Sequence, residues 1–475
     1  MPTAIVWFRD DLRLQDHPGL QAAHRAGFAP LPVYIHAPHE EGGWAPGAAS
    51  NAWRHRSLAA LDAALRARGS RLHVFAGGSL ATLEAITTAT DAAAVYWSRR
   101  HEPAAARRDE AVRRALRARG LRADAWNAHL LFEPWQLETK AGDPFRVFTP
   151  FWNAARRAWS PQAPVPAPDL LPTFSTLPGE TTLDALGLAP DIRWDAGFWT
   201  HWTPGEAGAD AALQAFIVDG LRDYPRGRDH PARRLTSRLS PHLHFGEISP
   251  WRIVHALQDA GPVEARAAFV RELAWREFAV HVLHHFPHTP DANFNPRFDD
   301  FPWADPDPAL LAAWQRGRTG VPIVDAGLRE MRATGWMHNR VRMVVASFLT
   351  KHLRLHWLHG ARWFWDNLVD ADLANNTLGW QWVAGTGVDA APYFRIFNPV
   401  LQARKFDPTG EYIARWVPEL RELPSKARHA PWDIPTGSRP TGLYPARPIV
   451  DLAEGRASAL EALKRIRVPV ADPLD

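Results

Sequence analysis

The first 130 residues alternate short, unbroken apolar runs with longer stretches in which apolar residues recur every three or four positions. The runs TAIVWF, LPVYIHA, LHVFAG and AAVYWS lack the in-and-out alternation of a half-exposed strand, so they predict strands buried on both faces. Between them lie Ala/Arg/Leu segments such as NAWRHRSLAALDAALRARG, with helical spacing and a terminal glycine. Strand alternating with helix predicts a doubly wound parallel sheet. From 131 to 204 the pattern lapses. Pro161, Pro164, Pro166, Pro168, Pro172, Pro178, Pro190 and Pro204 break any regular element, which predicts a long connector draped over the surface. From 205 onward strand patterns vanish, and GADAALQAFIVDGL, VEARAAFVRELAWREFAVHVLHHF, VDAGLREMRATG and MHNRVRMVVASFLTKHLRLHWL each predict a helix. The chain thus reads as an α/β domain over 1–130, a proline-rich linker over 131–204 and an all-helical domain over 205–475.

Composition changes this picture in three ways. The absence of cysteine excludes disulfides, thiolate metal sites and thiol nucleophiles. Charges break every apolar run well short of a membrane span, and MPTAIVWFRDDLR suits a buried strand better than a signal peptide, so a cytoplasmic protein is expected. The 23 tryptophans are more than a core needs and invite a search for stacking or electron-transfer roles. Fifty of the 55 basic residues are arginine, suited to bidentate phosphate contacts, although the formal net charge is only +4.

Several chemistries lack their signature. There is no GxGxxG after a strand, no GxxxxGK[ST], no HExxH and no GxSxG. The densest histidine group, HVLHHFPH at 281–288, has no acid partners at ligand spacing and reads as a wet helix end; no metal is expected.

Three helical stripes stand out instead. Glu272, Trp275 and Arg276 fall at i, i+3 and i+4, as do Asn339, Arg342 and Met343; Asp372, Asn376 and Trp380 are each four apart. Tryptophan, methionine, amide and guanidinium on one stripe make a poor solvent face and a poor apolar core. They suit the wall of a polar aromatic ligand. Trp382, two residues beyond Trp380, must point to nearly the opposite side of the same helix. A fourth segment, TSRLSPHLHFGEISP (236–250), offers Thr236, Ser237 and Ser240 hydroxyls and successive backbone N–H groups to an anion.

With WFRDDLRLQDHPGL, TSRLSPHLHFGEISP, ELAWREF, TGWMHNRVRM, DLANNTLGWQW and GTGVDAAPYFRIFNPVLQARKFD in that order, the chain resembles the DNA photolyase and cryptochrome family from about residue 3 to beyond 420, and is most like a class I cyclobutane pyrimidine dimer photolyase. The resemblance implies an α/β N-terminal domain, a wrapping linker and a helical domain that binds FAD. It implies light-driven electron transfer from reduced FAD to a pyrimidine dimer flipped out of UV-damaged DNA. Base flipping by photolyases is a known example of that mode. A monomer is expected, with no membrane partner. An antenna chromophore, folate or deazaflavin, is expected in the N-terminal domain; Glu102 lies where some folate-binding members carry an acid, and Ser98 stands where asparagine is common.

Residue by residue, the resemblance puts Tyr224, Thr236, Ser237, Arg238, Leu239 and Ser240 at the FAD phosphates, and Phe269 and Arg276 at further cofactor positions. Asp370 and Asp372 face the flavin, Arg342 pairs with Asp370, and Asn376 faces flavin N5, where a neutral amide serves either protonation state of the ring. Glu272, Trp275, Asn339, Met343 and Trp382 line the dimer cavity. Arg228, Arg340 and Gln402 touch DNA around the lesion. Trp380, Trp357 and Trp303 form a relay that reduces oxidised FAD in light. Two other functions compete: repair of the (6-4) photoproduct, disfavoured because Asn339 and Met343 stand where a histidine pair is expected, and a cryptochrome-type blue-light receptor, disfavoured because Glu272, Trp275 and Asn376 are all present.

Overall fold

A computed structural model describes residues 1–160, 162–389, 394–435 and 444–466. Pro161 and the 390–393 portion of the last motif lie outside the described residues. The described chain divides into two compact units that are discontinuous in sequence. The first comprises Met1–Pro225, Thr236–Pro287 and Val369–Ala374; the second comprises Arg226–Leu235, His288–Leu368 and Asn375–Asp475.

In the first unit five parallel strands, β1 (Thr3–Phe8), β2 (Ala29–His36), β3 (His73–Ala76), β4 (Ala92–Ser98) and β5 (Arg122–Trp126), pair in the order β3-β2-β1-β4-β5. Ala4, Ile5, Val6, Trp7 and Phe8 of β1 are all buried, as expected where helices cover both faces. The apolar runs predict the first four strands. The fifth, RADAW, escapes that reading because it carries Arg122 and Asp124 on an edge strand with one neighbour.

Strand order reverses at β1, and the carboxyl edge there is polar and buried. Arg9 pairs with Asp109 at 2.7 Å, Asp10 with Arg54 at 2.6 Å, and Asp11 with His17 at 2.8 Å. The opposite cations hold the Asp10 and Asp11 carboxyls well below the usual range despite burial. Just beyond, Arg13 donates to the Gly246 and Ala128 carbonyls, both at 2.9 Å, and the Leu12 N–H to the Phe245 carbonyl at 3.0 Å. Gly246 (φ 61°) is required there: a Cβ would lie 2.1 Å from the Asp10 carbonyl oxygen. The sheet unit therefore grips the 236–250 segment through backbone groups.

The proline-rich stretch lies along this unit. Asp16 N–H donates to the Val165 carbonyl, Leu171 N–H to Arg68, and Thr181 bridges Val74 at the edge of β3, shielding that edge. It is not wholly irregular. Phe148–Arg157 is helical, with Phe148 and Phe151 buried. Pro150 stands in its first turn, where a missing N–H leaves no intrahelical bond unmade, and the dense prolines follow only from Pro161.

Among the described residues after 205 no strand occurs. The helix Val263–His285 belongs to the first unit. His281 within it is buried, accepting from Phe145 N–H and facing the Pro134 carbonyl; burial pushes it down to about 4. The wet helix end thus applies to the later histidines and not to His281.

In the second unit MHNRVRMVVASFLTKHLRLHWL is not one helix. Asn339–Ser347 is α-helical, Phe348–His352 widens into a π turn, Arg354 takes φ 53°, and His356 caps a new helix, Trp357–Asn367. Helical periodicity runs straight through such a break because both pieces bury the same kinds of residue. Pro322–Thr334 packs on Asn339–Ser347, where Gly327 leaves room for Val341. Glu330 on the former accepts from the Tyr412 hydroxyl at 2.7 Å and from His338 N–H at 3.2 Å.

Tyr412→Phe should lower stability by about 1–3 kcal/mol, because a buried carboxylate loses its side-chain donor. An unchanged urea midpoint would remove Glu330 and Tyr412 from the interactions that hold this unit.

Candidate functional site

The candidate residues fall in both units and are taken unit by unit. In the first, Phe216, Tyr224 and Phe269 form an aromatic cluster, with Tyr224 5.5 Å from Phe216 and 5.3 Å from Phe269, both edge-on. All three are buried. In the 236–240 run Arg238 has φ 55° and Leu239 returns to φ −83°, ψ −3°. Opposite-handed neighbours turn successive N–H groups towards one concavity, the backbone geometry of an anion nest. Ser237 Oγ accepts from Leu239 N–H at 3.3 Å, so that amide is shared. The Arg238 guanidinium sits 4.8 Å over Trp202. Ser240 begins a five-residue helix and is exposed.

On Val263–His285, Glu272, Trp275 and Arg276 are half-buried along one side. Phe148 lies flat on Trp275, 3.7 Å between ring centroids at 8°. One indole face is therefore already taken. Arg276 is likewise engaged: it donates to the His129 carbonyl at 2.6 Å and lies 3.5 Å from Glu277. Glu277, fully inside, accepts from the Leu131 and Phe132 N–H groups, and burial pushes its carboxyl up to about 7. Asp370 is buried and Asp372 half-buried in the Val369–Ala374 segment.

In the second unit Asn376, Trp380 and Trp382 lie on the helix Leu373–Ala384; Asp372 precedes its first residue, so the acid stands at the helix entrance and not on the stripe. Asn376 Nδ2 donates to the Ala361 carbonyl at 3.0 Å, which fixes the amide and defines which end is oxygen. Trp380 is buried against Phe364 (4.9 Å) and Trp314 (6.4 Å), and against Gly360, where a Cβ would lie 2.0 Å from Cη2 of the indole. Trp382 is half-buried, with the Arg395 guanidinium 5.6 Å over its ring. The two indoles therefore meet different surroundings. Trp357 starts the helix that carries Gly360 and Phe364, and is fully buried. Trp303 is half-buried and lies 5.1 Å from His356, itself 5.5 Å from Trp357.

Asn339 is exposed at the first turn of Asn339–Ser347, and Arg342 and Met343 are half-buried on that helix. Arg342 donates to the Met337 carbonyl at 2.7 Å. Arg340 pairs with Asp229 at 3.0 Å, lies 4.5 Å over Phe406 and contacts Met343 Sδ at 3.6 Å. Arg228 and Gln402 are half-buried. At the antenna positions of the first unit, Glu102 is paired with Arg100 at 3.1 Å and held at about 2 in spite of burial, and Ser98 donates to Asp11. Both are engaged internally.

The sequence reading misses Phe148, Gly360 and Ala361. Phe148 and Phe151 at i, i+3 were a usable signal. A backbone carbonyl partner such as Ala361 leaves none.

Comparison with known proteins follows this geometry. A family model described as the FAD binding domain of DNA photolyase matches residues 269–465, and one described as DNA photolyase matches 4–169. The chain is 44% identical to the deoxyribodipyrimidine photo-lyase of Agrobacterium fabrum, over 98% of each chain. It is 37% identical to Cryptochrome-1 of Arabidopsis thaliana, over 98% of this chain and 70% of that one. The solved structure of a bacterial class III photolyase from Agrobacterium tumefaciens matches at a TM-score of 0.94 and 44% identity, over 98% of both. Among the described residues no helix is long and apolar enough to cross a membrane.

Two expectations follow from the packing. Gly360→Ala should push the Trp380 indole from its seat and cost about 1–3 kcal/mol by overpacking; tryptophan fluorescence and thermal unfolding report both, and an unchanged spectrum and Tm would refute the contact. For Glu277, the folded carboxyl keeps a proton between its ordinary 4.5 and about 7 that the unfolded chain has lost, so this group's contribution falls as pH rises through that window. Glu277→Gln should gain on wild type by up to about 3 kcal/mol between pH 4.5 and 7.5. Parallel stability–pH curves would refute the raised carboxyl.

Proposed function

The chain belongs to the DNA photolyase and cryptochrome family, and from that premise we propose that it is a light-dependent DNA-repair enzyme that binds FAD and splits cyclobutane pyrimidine dimers. For the subclass, similarity to the class III structure spans 98% of both chains, whereas the class I resemblance rests on six short motifs; we therefore assign class III. When bound, FAD supplies the light-excited one-electron donor. All other work falls to the protein.

One observation carries the reading. A single helix, Leu373–Ala384, holds Trp380 buried among aromatic side chains and Trp382 in a separate, half-buried setting, with an amide of fixed orientation at Asn376. Electron supply and substrate stacking can thus be served by one rigid element. Tyr224 and the backbone nest at 236–240 fit the phosphate portion of a dinucleotide, with Phe269, packed edge-on to Tyr224, at a further cofactor position. Asp370, Asp372, Arg342 and Arg276 take the remaining cofactor roles. Glu272 holds the dimer amides, and Trp275, with Phe148 behind it, presents its free face to the flipped bases. In the second unit Trp382, Asn339 and Met343 take the substrate roles that the resemblance implies, and Arg228, Arg340 and Gln402 grip the strand. An antenna in the first unit, folate or deazaflavin, remains part of the proposal without assigned residues. The receptor reading draws on the 37% identity to Cryptochrome-1 and is decided by the same assay.

Blue light on the purified protein with thymine-dimer DNA should remove dimers, followed by chromatography; loss of (6-4) photoproducts only, or of neither lesion, would overturn the assignment. Trp380→Phe should cut light-driven reduction of FAD at least tenfold while repair survives after dithionite reduction. Trp382→Ala should weaken dimer binding by about 1–3 kcal/mol with photoreduction intact. If both variants fail in the same assay, the division of labour along this helix is wrong.

A further inference from the structure

Trp357 and Trp380 differ in one respect. Trp357 is fully buried, and its Nε1–H donates to Asn293 Oδ1 at 2.9 Å. Asn293, itself buried, passes the polarisation on: its Nδ2 donates to Asp299 Oδ1 at 2.7 Å. Trp380 is equally buried, but its Nε1 has no acceptor among the described residues. Gly360, whose missing Cβ makes room for the Trp380 ring, sits one turn after Trp357 on the same helical face. The two buried indoles thus have unequal means of holding positive charge.

From this geometry we infer that Asn293 is a positioning residue that makes Trp357 the better electron donor of the two and so gives the relay its direction. The inference rests on the relay reading above. Once Trp380 has lost one electron to a light-excited flavin, one electron passes from Trp357 to Trp380, and the positive charge moves the other way. No bond breaks. The proton stays on Trp357 Nε1, whose hydrogen bond to Asn293 strengthens because a charged donor makes a bond roughly twice as strong as a neutral one. The carboxylate of Asp299 raises the acceptor strength of the amide by polarising it along the chain. Trp380, whose Nε1 meets no acceptor among the described residues, has no comparable amide to hold the charge. Transfer outward is therefore favoured and return is slowed.

The test uses the full chain with Asn293→Leu, which removes the acceptor while keeping the side-chain branching and heavy-atom count, and Asp299→Asn, an exposed position that keeps the amide of Asn293 but removes the charge behind it. Asn293→Leu should lower the yield of FAD photoreduction by about tenfold and prolong the Trp380 cation in transient absorption. Asp299→Asn should act in the same direction with a smaller loss. Independently of any flavin chemistry, the Trp357 indole N–H resonance, identified by its loss in Trp357→Phe, should move upfield and exchange faster with solvent in Asn293→Leu. Should Asn293→Leu fail to fold, Asp299→Asn alone decides. Wild-type photoreduction in the Asn293 and Asp299 variants, beside its loss in Trp357→Phe, would overturn this inference and leave the relay standing. Unchanged photoreduction in both Trp357→Phe and Trp380→Phe would overturn the relay and this inference together.

Discussion

The rotation of one helix about its axis decides where two tryptophans go, and a buried glutamine sets that rotation. Gln381 is almost wholly inside. Its Nε2 donates to the Thr289 and Ala292 carbonyls at 2.7 and 2.9 Å, and its Oε1 accepts from Phe294 N–H at 2.8 Å and from the Thr386 hydroxyl at 3.3 Å. Every polar atom of the side chain is satisfied, so any turn of Leu373–Ala384 would strand several buried groups at once, at roughly 1–3 kcal/mol each. With Gln381 fixed, Trp380 and Trp382, its chain neighbours, are committed to different sides. Lys351, buried in the π turn, caps the far end by donating to the Ala384 carbonyl and lies 3.2 Å over Phe394. Burial drives its ammonium well below the usual lysine range.

The first unit uses charge for a similar purpose. Arg13, Asp10 and Asp16 follow the central strand, and their partners are distant in sequence: the Gly246 carbonyl, Arg54 and the Ser249 hydroxyl. Trp53 adds a bond to Glu247 at 2.9 Å, and Glu247 also meets His242. The N-terminal motif WFRDDLRLQDH therefore positions TSRLSPHLHFGEISP. A buried pair of this kind adds little net stability over apolar packing. It does forbid misplacement, because a shifted segment leaves a charge unpaired. The nest at 236–240 inherits its position from strand β1.

This explains what was readable beforehand. The four apolar strands, the helix Val263–His285 and the opposed directions of Trp380 and Trp382 follow from periodicity, which a sequence states directly. What was not legible is held by contacts with no periodic signature. Strand β5 survives on pairing with β4 and not on its own apolarity. The break after Ser347 depends on a π turn and on Arg354 in a left-handed conformation, which arginine does not advertise. Phe148 covers Trp275 from a proline-rich stretch in which a short helix, with Pro150 in its first turn, has little periodic signature. Asp372 was placed on a helical stripe by spacing alone, although the helix starts one residue later.

Arginine content illustrates the same point for binding. Many arginines are committed to acids inside the fold: Arg9 to Asp109, Arg54 to Asp10, Arg100 to Glu41, Arg252 to Asp210 and Arg329 to Glu419. Counting them overstates the charge offered to a phosphate backbone. In the second unit the exposed cations include Arg226, Arg233, Arg234, Arg404 and Lys405. His230 bonds the Phe406 carbonyl at 3.1 Å and Arg415 the Ala232 carbonyl at 3.4 Å, which draws the 226–235 segment and the end of Pro399–Phe406 together. On the proposed reading these few residues supply the salt-dependent part of DNA affinity, each phosphate neutralised adding about 0.9 to the log–log slope. Phosphate contacts fix register and carry no information about a lesion. On the same proposed reading, preference for a dimer comes from groups that do not contact phosphate: Glu272, the half-buried indoles of Trp275 and Trp382, and the amide and thioether of Asn339 and Met343. The arginines would then bring DNA to the protein, and these side chains would decide which nucleotides stay.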